Sequence, residues 1–256
     1  MLAAADSDHR PMLPDLPVED DLFGRVLMES HQGRSNQYFI RRDDNCLDRD
    51  STARYFSSWE QFPEHQRCLL KHARGQVLDF GAGAGQHALA LQQRGLAVTA
   101  IDISPRAVEV CRARGVQDVR LMDGMALDLP DASIDTILFL GNNLGIAGTP
   151  EGLFGLLSRL RAIVRPGGQI LAELTDYTNT HNATHLRYHQ WNVARGRYPG
   201  SIGMRVEYDD HCGPWFDWLL PKLSDFRRIA TETDWKVARC VQVTAGVSYA
   251  IGMAPV

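Results

Sequence analysis

The sequence predicts an α/β protein built on a parallel, doubly wound sheet, and three observations carry that prediction. Short apolar runs alternate with helix-length segments across residues 76–174, the rhythm of strands joined by helical crossovers. The run over residues 134–140 is β-branched and apolar, as a strand covered on both faces requires. A glycine cluster, Gly81-Ala82-Gly83-Ala84-Gly85, stands where the first such strand gives way to a helix. Glycine there lets the backbone turn tightly and approach a ligand where a Cβ would collide.

Each element has its own signal. Residues 76–80 read as the first strand, and a helix follows the glycines over about 86–94. The second strand covers 97–102; Ser104 and Pro105 then open a helix to Arg114, with proline at its favoured first-turn position. Residues 116–121 form a third strand and 134–140 a fourth. A helix over 151–164 stops at Pro166-Gly167-Gly168, and 169–174 is the fifth strand. The pattern resumes late, with a helix over about 224–233 and strands over 236–243 and 247–252.

Three regions lie outside that rhythm. Residues 1–24, with Pro11, Pro14 and Pro17 among many acids, read as a flexible N-terminal arm. In residues 25–74 aromatics alternate with charges and a helix is expected over 59–73, so this part reads as an N-terminal helical cap. The remaining domain, 75–256, carries an insertion at 176–221: a long polar helix over about 179–197, a Pro199-Gly200 turn, a strand over 202–208, and the aromatic stretch Pro214-Trp215-Phe216-Asp217-Trp218.

Composition narrows the class. The 256 residues are 44% hydrophobic with a net charge of −4, enough apolar material for a real core. Neither half carries a run of Lys or Arg to offset phosphate charge, so no nucleic-acid partner is expected. The five cysteines are scattered and form no C-x-x-C pair, which fits a reducing cytosol and argues against a disulfide framework or a structural zinc site. No apolar run approaches the roughly 18 residues a bilayer span needs, and the start of the chain lacks a secretory pattern. The expectation is a cytoplasmic protein without a membrane partner; a second copy of the chain stays open as one.

The glycine loop points to a nucleoside ligand, and two details choose among nucleosides. Its spacing is G-x-G-x-G, whereas dinucleotide sites use G-x-G-x-x-G. Asp79 stands two residues before Gly81, where a carboxylate would repel a pyrophosphate at the helix N-terminus. S-adenosylmethionine (SAM) has no phosphate and carries an ammonium and a sulfonium, so an acid beside it is favourable. Asp102, ending the second strand, suits ribose hydroxyls in either case. Asp123, in Asp123-Gly124-Met125, could accept from the adenine amino group or stand in a solvated turn.

The arrangement resembles the class I SAM-dependent methyltransferases through five ordered segments: VLDFGAGAGQHAL (77–89), AIDISP (100–105), MDGMALDLP (122–130), IDTILFLGNNL (134–144) and LRAIVRPGGQILAE (160–173). The resemblance covers about residues 75–175 and implies a seven-stranded Rossmann-like sheet with the last strand antiparallel. It also implies SAM contacts from Asp79, Gly81, Ala82, Gly83, Gly85, Asp102, Ile103, Asp123, Gly124 and Met125, with Gly141 and Asn142 below the methyl-bearing end. At that position Gly141-Asn142-Asn143-Leu144 lacks the Asn/Asp-Pro-Pro-aromatic motif of nucleobase and protein-glutamine methyltransferases, which leaves a small-molecule acceptor, methylated on O, N or C.

The insertion lies beyond the carboxyl end of the fifth strand, where open α/β sheets bind ligands. His181, His185 and His189 recur every four residues along one helix face, without the glutamate a zinc helix adds, so no metal is expected. His189 is the preferred base, with Tyr188 beside it and His211 on the hairpin as further catalytic candidates. Arg187, Arg195, Arg197 and Arg205 read either as an anion clamp or as a basic surface offset by nearby acids. Two rivals stand beside this reading: an NAD-dependent oxidoreductase, and a SAM-binding protein without turnover.

Overall fold

Val77, Leu78, Ile137, Leu138, Ile170 and Leu171 are at most 1% exposed, so the strands that carry them are covered on both faces. That burial is what sets the architecture in the computed structural model, which describes residues 17–243 and 248–256. In chain order the elements are α1 (Leu22–His31), β1 (Gln37–Arg42), β2 (Leu47–Ser51), α2 (Glu64–Leu70), β3 (Gln76–Phe80), α3 (Gln86–Gln93), β4 (Ala97–Asp102), α4 (Pro105–Ala113), β5 (Asp118–Leu121), β6 (Ile134–Phe139), α5 (Pro150–Ile163) and β7 (Val164–Thr175). They continue through α6 (Ala183–Ala194), β8 (Ser201–Tyr208), β9 (His211–Cys212), β10 (Phe216–Leu219), α7 (Leu223–Glu232), β11 (Trp235–Gln242) and β12 (Ser248–Pro255).

The main sheet has seven strands in the order β11-β12-β7-β6-β3-β4-β5, and β12 runs antiparallel to both neighbours. One face packs Leu153, Leu157 and Leu160 of α5 with Phe226 of α7 and Trp235; the other packs Leu69 and Leu70 of α2 with Leu91 of α3 and Val108 of α4. The chain winds outward from β3 to β4 and β5, then crosses back to β6 on the other side of β3. The crevice between β3 and β6 is the switch point at which such sheets hold ligands.

A second sheet, order β10-β8-β1-β2 with β9 on β8, corrects the reading of residues 25–74 as a helical cap. Gln37–Arg42 is a strand that pairs with the insertion, Ile40 opposite Val206 and Phe39 opposite Glu207. Cap and insertion, with the start of α1 and its capping residue Asp21 joined to them, are therefore one structure, which we call the lid. The alternation of Tyr38, Ile40 and Arg42 with Phe39 and Arg41 was a period-two signal.

Other boundaries shift for local reasons. The helix expected over 59–73 is split by Pro63 into a 3-10 turn, Trp59–Gln61, and α2, because the residue before proline avoids the helical region. The helix expected over 179–197 is only α6: the Asn182 side chain accepts from Thr184 N–H and starts it late, and Gly196 at φ +70° ends it early. Residues 17–24 of the expected arm include the start of α1, capped by Asp21, whose Oδ1 accepts from Gly24 N–H at 2.9 Å. The first 16 residues and Val247 lie outside the described residues.

Candidate active site

The expected cofactor residues all come to the carboxyl ends of the parallel strands. Asp79 lies in β3 and Gly81, Ala82, Gly83 and Gly85 in the loop behind it; Asp102 ends β4 with Ile103 next; Asp123, Gly124 and Met125 follow β5; Gly141 and Asn142 follow β6. Gly81 and Gly85 have φ of +66° and +74°. A Cβ on Gly81 would stand 2.8 Å from Asn143 Nδ2, and one on Gly85 2.7 Å from Val116 Cγ2. Both the turn and the space around it therefore require glycine.

The acids behind the loop hold its shape. Asp102 Oδ2 accepts from Gly83 N–H at 2.8 Å and its Oδ1 from Ser104 N–H at 2.9 Å. Asp79 Oδ2 accepts from Ala88 N–H in the first turn of α3 at 3.1 Å. Burial, with the neighbouring Asp102 charge adding to it, pushes the Asp79 carboxyl up to about 7. Burial likewise pushes Asp102 up to about 6, against the bonds from Ser104 and Gly83 that favour its ionised form. Two partly protonated carboxyls beside a glycine cradle suit a cationic ligand, which would draw both back toward ionisation. Asp123 Oδ1 accepts from Met125 N–H at 2.8 Å and so shapes the turn after β5.

The β6 end is tied to both its neighbours. Asn143 Nδ2 donates to the carbonyls of Phe80 and Gly81, each at 2.8 Å. Asn142 Oδ1 accepts from Thr175 N–H at 2.9 Å. Gly141 N–H donates to Glu173 Oε2 at 2.5 Å. Glu173 and its partner His65 were missed in the sequence; the available signal was an acid inside the apolar run ILAEL.

The lid meets the main domain on both sides of this crevice. On one side Tyr55 packs over Gly83, and buried Asp21 accepts from Ser104 Oγ and from Arg106 N–H at the start of α4. On the other side the Trp218 indole covers Gly145, and Ser201 Oγ donates to the carbonyl of Gly148 at 3.0 Å.

The three catalytic candidates separate. His189 sits edge-on to Tyr177 with ring centroids 4.9 Å apart, just past the end of β7; burial, helped by His185 and Arg42, lowers its pKa. Tyr188 is locked into the lid: its hydroxyl donates to Asp43 Oδ1 at 2.6 Å and accepts from Gly203 N–H at 3.0 Å. Burial and the Asp43 bond raise that phenol, the opposite of what a base needs. His211 is exposed on β9 opposite Tyr208, at the end of β8 remote from Ser201. The arginines form no open clamp. Arg197 bridges Asp43 and Asp217 at 3.0 and 2.9 Å, Arg195 lies over Trp191, and Arg205 pairs with Glu207.

The switch point of the sheet thus brings together a glycine turn, the buried acid Asp79 behind it and Asp102 at the end of β4, without the G-x-G-x-x-G spacing of a dinucleotide site. Comparison with known proteins agrees. A family model described as "Methyltransferase domain" matches residues 77–168. The chain is similar to the solved SAM-dependent methyltransferase from Bacteroides fragilis in complex with S-adenosyl-L-homocysteine, at 30% identity and a TM-score of 0.80, over 94% of this chain and 97% of that one. It is also similar to the demethylmenaquinone methyltransferase of Tropheryma whipplei, 35% identical over 38% of this chain and 40% of that protein. A third likeness is to the malonyl-[acyl-carrier protein] O-methyltransferase of Serratia marcescens, 36% identical over 39% of this chain and 38% of that one. The matches span about two fifths of the length of these curated relatives. The chain belongs to the SAM-dependent methyltransferases, enzymes whose cofactor is SAM, and the oxidoreductase reading falls.

Proposed function

We propose that this protein transfers the methyl group of SAM to an O, N or C atom of a small molecule bound between the Gly141-Asn142 turn and the lid, in the cytoplasm. The observation that carries this reading is the lid itself, which rests on Gly83 from one side and on Gly145 from the other. An acceptor that must fit under such a cover is small, or presents a small group. The net charge of −4 gives a nucleic acid no footprint. Among the described residues no helix is long and apolar enough to cross a membrane, and no group of three or more His, Cys, Asp or Glu could hold a metal.

The residues present fit the cofactor. Asp102 would accept from the ribose hydroxyls and Asp123 from the adenine amino group. Asp79, Gly81, Ala82, Gly83 and Gly85 would cradle the amino-acid end; Ile103, Gly124 and Met125 would border the base; Gly141 and Asn142 would lie at the methyl end. Bound SAM supplies a methyl group on a positively charged sulfur, already activated for displacement. What remains for the chain is to align the acceptor and exclude water. Tyr177, His189 and Trp218 are the side chains we assign to the acceptor's walls; Tyr188 and His211 are not kept as catalytic groups.

Incubation of the protein with methyl-tritiated SAM and a metabolite extract tests this. Label in a small molecule, identified by mass spectrometry, is the expected result. Label confined to protein or nucleic acid would overturn the small-molecule reading. In calorimetry, S-adenosylhomocysteine should bind and NADH should not.

A further inference from the structure

Glu173 is a carboxylate only 8% exposed, at the end of a strand covered on both faces. Such a group is tolerated only where its lone pairs are used. Oε2 accepts from Gly141 N–H at 2.5 Å and from Gln66 Nε2 at 2.9 Å, and Oε1 bonds Nε2 of His65. Thus a single carboxyl group lies between the His65 ring and Gly141, the residue that opens the turn at the cofactor's methyl end. Two residues on, Asn143 binds the carbonyls of Phe80 and Gly81, so the same turn is locked to the glycine loop. His65 and Gln66 come from the first turn of α2, which the chain supplies from outside the cofactor motifs.

We propose that His65 is the general base of the methyl transfer and that Glu173 is its positioning residue. Glu173 accepts the Nε2–H, which keeps that proton on Nε2 and leaves the imidazole lone pair on Nδ1. Among the described residues Nδ1 has no hydrogen-bond partner, and the side chain is 25% exposed. A carboxylate that sets the tautomer of a histidine and then stabilises its imidazolium is the arrangement of the serine-protease triad. In the step, the acceptor's lone pair forms the bond to the methyl carbon and the C–S pair stays on sulfur. The proton lost by the acceptor goes to Nδ1, and His65 returns it to water after product leaves.

The inference rests on the methyl-transfer reading above and requires an acceptor that carries a proton on the methylated atom. Its first test needs no acceptor. Long-range proton–nitrogen spectra of ¹⁵N-histidine-labelled protein, with His65→Asn to assign the signal, should show His65 as the Nε2–H tautomer with and without S-adenosylhomocysteine. Glu173→Gln should turn that signal into a mixture of tautomers. A dominant Nδ1–H form, or a tautomer indifferent to Glu173→Gln, overturns the proposal.

The second test is the rate of tritium incorporation into the extract. His65→Asn and His65→Gln should each lose about 100-fold or more, the range of general-base contributions. Their S-adenosylhomocysteine affinity should stay within about twofold of wild type, which also shows that the variants fold. Rates within about threefold of wild type overturn the base role. If wild-type protein labels nothing, the acceptor reading fails, and the tautomer spectra still decide the dyad.

Discussion

The seven-stranded sheet and the lid sheet are built by different forces. In the main sheet the inner strands are apolar on both faces, and helices from the intervening chain cover them. The lid's own apolar cluster, around Leu22, Val26, Tyr38, Val206 and Tyr208, is small, and a second one packs Leu27, Phe23 and Tyr55 against Ala84, Ala107 and Val110 of the main domain. Polar ties add a large share: Asp43 gathers Tyr188 and Arg197, Arg197 reaches on to Asp217, and Glu207 holds Arg41 and Arg205. A packed core resists displacement, whereas partly solvated ion pairs can rearrange at little cost. The proposed division of labour, cofactor on the main sheet and acceptor under the lid, follows this difference.

Breaking the main sheet should have the largest effect. Trp235 is 1% exposed and its Nε1 donates to the Leu157 carbonyl at 3.0 Å. Trp235→Ala should lower global stability by about 4 kcal/mol in denaturant melts. A loss below about 1 kcal/mol would mean that the two apolar faces are not the dominant support.

Next come changes at the cofactor crevice. Gly81→Val forces a branched side chain into positive φ and against Asn143. Asp102→Ala removes the acceptor of Gly83 N–H and Ser104 N–H as well as the expected ribose contact. Each should weaken S-adenosylhomocysteine by about 100-fold in calorimetry, corresponding to roughly 2–3 kcal/mol of lost hydrogen bonding or added strain. Retained affinity would place the cofactor elsewhere.

The lid should separate from the crevice in a third experiment. Asp43→Ala removes the acceptor of the Tyr188 hydroxyl and one of the two carboxylates that Arg197 bridges, and should cost about 2 kcal/mol of local stability, visible as faster hydrogen exchange in α6 and β8. Methyl transfer should fall while S-adenosylhomocysteine affinity stays within about twofold. Equal losses of both would mean that lid and crevice are one cooperative unit.

The smallest effect is a pH dependence confined to the crevice. Asp79 and Asp102 titrate near 7 and 6 in the folded ligand-free protein, above the usual 3.8. The folded state therefore takes up protons that the unfolded state does not. Stability from this source is complete below pH 4 and is lost as pH rises through 6 and 7. Melts should show stability rising by about 1 kcal/mol per pH unit as pH falls from 7 toward 6, and Asp79→Asn should remove the larger part. Affinity for S-adenosylhomocysteine should move the other way, falling as Asp102 is protonated.

What could be read directly was local. The turn Gly81-Ala82-Gly83-Ala84-Gly85, the acid before it and Asp102 after the next strand sit within 24 residues of one another, and their conformations follow from neighbours in the chain. Period and burial made the strands from Gln76 to Thr175 legible for the same reason. The lid was misread because its strands find partners far away: Arg41 meets Glu207 across 166 residues, and Tyr188 meets Asp43 across 145. An alternation such as QYFIRR does not name its partner strand.

His65 shows the same limit in the site. Nothing around it in the chain marks it, and it gains a role only because α2 packs over the end of β7, 108 residues on, against Glu173. By itself the sequence determined the glycine turn and the parallel strands around it, since glycine conformation, strand burial and helix starts are short-range properties. Only the tertiary structure decided that cap and insertion form one lid, that Tyr188 is a strut and that His65 faces Glu173. Those are pairings between distant segments, chosen by the packing of the whole chain.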